Sequence, residues 1–190
     1  MGRARSAEAK HARREQILAA AADLLRRDEY AALTMASVAA AAGLAKGTPY
    51  LYWQSKEELF LTVLQEEYLA FLRDLVPVVA CAPPTPEAIG AALVDGLLGR
   101  DMLVALIGQL HVAREQNASA ASVIAFKRSL VAGGLPVAVA IHERLPWLPI
   151  EDAARLLVRV HGALVALRQM ADPPPAIREA LDHPDLAVLR

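Results

Sequence analysis

Residues 34–59 read Thr34-Met35-Ala36-Ser37-Val38-Ala39-Ala40-Ala41-Ala42-Gly43-Leu44-Ala45-Lys46-Gly47-Thr48-Pro49-Tyr50-Leu51-Tyr52-Trp53-Gln54-Ser55-Lys56-Glu57-Glu58-Leu59. Thr34 is a good N-cap for a short helix through Ala42. Gly43 ends it, because glycine takes φ > 0 without steric cost. A third short helix is expected from Lys46 to about Tyr52. Ser55 caps the next, with Glu57 and Glu58 complementing the dipole of its first turn. Short helix, glycine turn, short helix is the helix-turn-helix pattern. Its demands are met residue by residue. Ala36, Ala39, Ala40, Ala41 and Ala42 allow close crossing, Val38 supplies a core contact, and Leu44 plugs the space beside the turn. In this pattern the second helix lays its N-terminal end in the major groove, so its exposed residues should be small or able to donate hydrogen bonds. Lys46, Gly47, Thr48 and Tyr50 fit. Tyr50 and Tyr52 can each send a hydroxyl to a phosphate, and Pro49 sits where a missing N–H does least harm.

Working outward, Ile17, Leu18, Ala21, Leu24 and Leu25 share one face of a preceding helix. Residues 1–10 have no apolar period and read as a flexible basic arm. Residues 1–27 hold seven Lys or Arg against three acids, whereas 61–190 hold 11 basic and 14 acidic residues, so one end faces an anionic partner although the whole chain carries −1. A solvated basic tail is the other reading of that asymmetry.

The helix opened by Ser55 runs to about Val76 and is expected to close at Pro77. Thr85, Pro86 and Glu87 read as N-cap, N1 and N2 of another. Asp101 starts one through about Glu115, and a long helix beginning near Asn117–Ser119 should kink or break at Gly133, Gly134 and Pro136. A strongly apolar helix from Asp152 to Met170 follows, then a short one over 176–181.

Composition agrees with an all-α protein. Of 190 residues, 55% are apolar and only 5% aromatic, and helix-forming alanine and leucine dominate. The longest stretch without Asp, Glu, Lys or Arg, Ala31–Ala45, is too short to span a bilayer, and Asp23 interrupts the apolar run that a signal peptide would need. The single cysteine, Cys81, forms no internal disulfide and fits a reducing cytoplasm. No pair among His11, His111, His142, His161 and His183 has i, i+4 zinc spacing, and no phosphate-binding glycine loop occurs, so neither enzyme, metal nor cofactor is expected.

The run from Thr34 to Leu59, with Arg14…Ile17-Leu18-Ala19-Ala20-Ala21…Leu24-Leu25 upstream, resembles the DNA-binding domain of TetR-family transcriptional regulators. The resemblance covers about residues 11–60 in one fixed register. It implies that Thr34 caps the second helix and binds a phosphate, that Lys46, Gly47 and Thr48 open the recognition helix, that Tyr50 contacts the DNA backbone, and that Lys56 contacts a phosphate. Two positions depart from the pattern. Ala45 stands where many members have a capping serine, which costs roughly 1 kcal/mol, and Trp53 replaces the usual phenylalanine.

The resemblance further implies that 61–190 form a helical domain that binds a small effector and dimerises. The helix from Asp152 to Met170 is apolar almost all round, and some of that surface should meet a second subunit rather than water. Two recognition helices one DNA turn apart also require a two-fold dimer. The last two long helices are expected to build an intersubunit four-helix bundle, the alternative being a central core helix of a monomer. An apolar pocket is expected among 87–170. Its candidates are Met102, Leu106, Gln109, Leu110, His111, Arg114, Phe126, Leu130, Trp147, His161 and Arg168. Each has a plain structural alternative as a core or rim residue. The expected function is a dimeric repressor released from a palindromic operator in double-stranded DNA by a small, lipophilic effector, which would move the helix from Ser55. The alternative is a helical carrier or protein-interaction module with a degenerate helix-turn-helix.

Overall fold

The computed structural model describes residues 2–97, 100, 102–104, 106–107, 120–171, 175–183 and 185–186. Its helices are α1 (Gly2–Leu25), α2 (Met35–Ala41), α3 (Lys56–Cys81), α4 (Pro86–Asp95), α5 (Ala120–Arg144), α6 (Ile150–Ala171) and α7 (Pro175–Leu181), with short 3-10 segments at Tyr30–Ala32 and Thr48–Leu51. Residues 102–104 and 106–107 are also helical, and no strand occurs among the described residues. The all-α expectation holds.

Helix α1 starts at Gly2, so residues 2–10, expected as an arm without apolar period, are its first turns. Ala, Arg, Glu and Lys form helix well without tertiary support, and residues 7–13 project into solvent. Further along, Ile17, Leu18 and Ala21 are buried.

A reciprocal capping box opens α2. Thr34 Oγ1 accepts from Ser37 N at 3.0 Å, and Ser37 Oγ accepts from Thr34 N at 2.9 Å. Its end is a Schellman turn: Leu44 N donates to Ala39 O at 2.8 Å, Gly43 N donates to Ala40 O at 3.0 Å, and Gly43 takes φ +67°. Gln16 Nε2 adds a 2.7 Å bond to Ala42 O, tying α1 to this terminus.

Helix α3 is the spine of the molecule. Phe60, Leu59, Leu64 and Leu75 along it are fully buried. It does not stop before Pro77 as expected, but runs to Cys81 with that proline inside. Pro77 is exposed, and so is Arg73, whose carbonyl loses its helical partner. Water can therefore serve that carbonyl, and the usual penalty for an interior proline is reduced.

The expected break in the long helix near Gly133 is also corrected, since α5 is continuous from Ala120 to Arg144. Gly133 lies at a helix crossing. A Cβ there would stand 2.5 Å from Leu69 Cδ2 and 3.3 Å from Leu72 Cδ1 of α3. The missing side chain brings two backbones together rather than interrupting one. Pro136 again faces solvent. Helix α5 is long and apolar enough to cross a membrane by length and composition alone. It carries Lys127 and Arg128, and it packs Phe126, Val137, Ala138 and Ile141 into the core.

Helix α6 is not the central core helix that the monomer alternative requires. Among its described side chains only Ala153 is buried, while Val158 is 70% and Met170 75% exposed.

Candidate nucleic-acid interface and effector cavity

The segment after Gly43 is shorter than a helix from 46 to 52 would be. Thr48 N donates to Ala45 O at 2.8 Å, and Tyr52 N and Trp53 N both donate to Pro49 O, at 3.0 and 3.1 Å. The result is a single 3-10 turn over Thr48–Leu51, with Gly47 preceding it and no side-chain cap. Ala45 has no hydroxyl to open an α-helix, and Gly47 and Pro49 both disfavour one.

The leading edge of this turn faces outward. Lys46 and Gly47 are exposed, Thr48 is half-buried, Pro49 is buried beneath, and Tyr50 is exposed. Leu51 is 76% exposed. A Cβ added to Gly47 meets nothing within 4 Å, and the residue's φ of −84° is open to any amino acid. Nothing in the fold requires glycine at that position.

The base of the turn is fixed from below. Trp53 is buried, and its indole Nε1 donates to Thr62 Oγ1 at 2.8 Å. The Arg14 guanidinium lies 5.7 Å from the Trp53 ring centroid, and the half-buried Tyr52 ring packs beside it at 5.6 Å. Glu58 ties the loop to the body: one carboxylate oxygen accepts from Gln54 N at 3.0 Å, the other from Ser122 Oγ of α5 at 3.1 Å.

Two predicted phosphate ligands have work inside the chain. The Thr34 hydroxyl belongs to the capping box, although the residue is exposed. Lys56 Nζ donates to Tyr30 O and Leu33 O, both at 2.9 Å, and stands 4.2 Å from the Tyr30 ring centroid. Two of its three N–H donors are thus used, and one remains. Burial pushes the Tyr30 phenol up to about 12, with the Glu57 charge adding to it, so the ring beside the ammonium stays neutral.

A cavity of about 240 Å³ lies between α3, α5 and α6. Leu72, Leu130, Val131, Leu157 and Val158 give it an aliphatic wall, and Gly134 and Ala154 leave room within it. Tyr68, Lys127 and His161 supply its polar atoms. Of the predicted pocket residues, Leu130 and His161 are here. Leu106 and Phe126 are not: both are close-packed in the core, at 0% and 2% exposure. Met102 packs at the core's edge. Trp147 is 67% exposed in the turn between α5 and α6 and is likewise outside the lining. Gln109, Leu110, His111 and Arg114, and the side chain of Arg168, lie outside the described residues. Sequence reasoning missed Tyr68, Lys127 and Val158. Tyr68 had a usable signal, a hydroxyl on the apolar face of α3.

The sequence agrees with known proteins in two segments. Residues 17–63 match the family described as bacterial regulatory proteins, tetR family. Residues 65–190 match the tetracyclin repressor-like C-terminal domain. No curated relative matches the chain. Among solved structures, the TetR family repressor AlkX from a Dietzia species, implicated in biodegradation of n-alkanes, shares the fold. It superposes with a TM-score of 0.59 at 18% identity, over 93% of this chain and 97% of that one.

Proposed function

The chain belongs to the TetR family of DNA-binding transcriptional regulators, and from that premise we propose that it is a dimeric repressor that leaves a palindromic operator when a small lipophilic effector enters the cavity. The outward edge at Lys46–Tyr50 carries this reading. Gly47 has open space around it and no conformational need for glycine. Its bareness serves a surface that comes from outside, and a DNA backbone or base edge is such a surface.

In this proposal Lys46 and the remaining N–H of Lys56 meet phosphates, as do the hydroxyls of Tyr50, Tyr52 and Thr34. Gly47 admits close approach, and Thr48 touches a base edge. The dimer forms through α5 and α6, whose exposed Leu135, Leu167 and Met170, outside the cavity lining, a second copy would cover as a four-helix bundle. The repressor role is supported by the structural neighbour, itself a repressor. Release follows from α3, which carries Tyr68 and Leu72 at the cavity and Lys56 and Leu59 at the head. An effector that binds one tilt of α3 better than another shifts the spacing of the two heads. The expected place of action is the cytoplasm, where the DNA is.

Selection of bound duplexes from a random DNA pool tests the proposal, and a palindrome with half-sites about one helical turn apart is the expected product. Lys46→Ala should lower the salt slope by about one per half-site, whereas Thr48→Ala should change base preference more than slope. Leu167→Glu should weaken the dimer at least about tenfold in sedimentation with the helix content kept. A ligand carrier with a silent head would show no salt-dependent DNA binding, and that result would overturn the proposal.

A further inference from the structure

The 3-10 turn over Thr48–Leu51 has three faces, because side chains three residues apart eclipse in such a helix. The inner face holds Pro49, which is buried, and Tyr52, which packs on the core. A second face holds Gly47 and Tyr50, both exposed. The third holds Thr48 and Leu51. Thr48 is half-buried, whereas Leu51 is 76% exposed and belongs neither to the core nor to the side chains packed against it.

A lone surface leucine is ordinary, but the position of this one is not. It follows exposed Lys46 and the bare Gly47 on the outward edge of the head, and it shares its face with Thr48. Among the described residues of the head, Tyr50 and Leu51 are the large apolar side chains left in water, too small a patch for a protein interface. The edge is cationic at Lys46, which suits an anionic duplex. In the major groove an apolar group has one base feature to meet, the 5-methyl of thymine. The other base edges there are hydrogen-bond donors and acceptors, and a leucine would strip them of water without replacing the bonds. Thr48 carries both a methyl and a hydroxyl, so the same face offers an apolar contact beside a hydrogen bond. A 3-10 helix rises about 2.0 Å per residue, which sets the two side chains about 6 Å apart along the turn. That is within two base-pair steps of about 3.4 Å each.

We propose that Leu51 reads the 5-methyl group of a thymine in each half-site, while Thr48 on the same face addresses a neighbouring base pair. The inference rests on the reading of the chain as a DNA-binding regulator and names a base feature that its turn selects.

Fluorescence anisotropy of the full chain on a duplex selected from the random pool tests it. Each thymine of a half-site is replaced in turn by deoxyuridine, symmetrically in both half-sites, which deletes the methyl and keeps the base pairing. Binding should weaken by about fourfold for each half-site changed, the worth of one methyl taken out of water, at a position where Leu51→Ala then removes the difference. Leu51→Ala should keep the parent's salt slope, since no phosphate contact is lost, with circular dichroism checking that the helices persist. Leu51→Met keeps an apolar side chain of similar volume and should retain the response to the methyl. Loss of the response in Leu51→Met as well as in Leu51→Ala would mark Leu51 as a prop for the turn and overturn the proposal. So would a response that Leu51→Ala leaves unchanged at every position. A recovered palindrome with no methyl-sensitive position would break the proposal and leave the DNA reading standing. No salt-dependent binding to any duplex would break both.

Discussion

The head and the body of this protein leave opposite kinds of surface in water. The head exposes Lys46, Gly47 and Tyr50 on a turn whose underside is buried Pro49 and Trp53. The body exposes Val131, Leu135, Val158 and Met170 along two helices. The bonds that shape the capped helix and the turn are mostly short in reach, with Gln16 to Ala42, Lys56 to Tyr30 and Leu33, and Glu58 to Ser122 as the long ones. Thr34 to Ser37, Leu44 to Ala39, Thr48 to Ala45 and Trp53 to Thr62 all close within ten residues of chain. In the body Tyr68 meets His161, and Leu69 meets Gly133. A locally pinned edge is finished in one chain. A large apolar face reached through long-range packing is left in water, where the proposed second copy would cover it.

The strongest way to break that contrast is to cut the core that both regions share. Phe60 is fully buried on α3, with its ring edge-on to Tyr30 at 5.3 Å. Phe60→Ala should cost about 3–5 kcal/mol in urea unfolding, with DNA binding and helix signal lost in one transition. Separate transitions would mean that head and body differ in stability as well as in surface. Next, Gly133→Val should cost about 1–3 kcal/mol by crowding α3 against α5. Leu69 can move only partly from a contact this short, so the loss should appear in thermal unfolding while operator preference is kept. Thr34→Ala acts on the head alone. It removes the capping box and should cost about 1 kcal/mol, without altering the oligomeric state in sedimentation.

The smallest effect concerns Glu66, which Arg14 of α1 meets at 3.2 Å. Burial raises the Glu66 carboxyl above its usual range despite the opposing pull of Arg14, with Glu15 and Glu67 adding to the rise. A raised carboxyl pKa means that the ionised form is disfavoured in the fold. The penalty is present near neutral pH, lifts as pH falls through the folded value, and is gone below the unfolded one. Glu66→Gln should therefore melt slightly above the parent near pH 7 and level with it near about pH 4. A variant that melts lower at neutral pH would show that the ion pair outweighs the burial.

The local part of the structure was legible in the sequence. Thr34, Gly43, Ser55 and Thr85 each stand at the helix end their side chain or backbone freedom predicts. What failed depended on neighbours distant in the chain or on which way a residue faces. Pro77 and Pro136 look like breaks until their exposure is known. Gly133 reads as a weak point until Leu69 is placed against it. Lys56 reads as a free cation, although two carbonyls from the Tyr30–Leu33 segment hold its ammonium. The helix expected over 46–52 is shorter than the sequence suggests, because Ala45, Gly47 and Pro49 leave only a 3-10 turn. Leu130 and His161 were found for the cavity, but its other walls depend on how α3 crosses α5 and α6.

Helix α3 is 26 residues long, and the stretch from Lys56 to Tyr68 has neither glycine nor proline. At 1.5 Å per residue, Tyr68 and Ser55 are about 20 Å apart along a stiff rod. Pivoted at the tyrosine by about 5°, that rod would sweep its far tip through ~2 Å. A hydrogen bond to a phosphate breaks over such a distance, so under the proposed mechanism a displacement of a few tenths of an ångström beside the aliphatic wall would be geared up before it reached the groove.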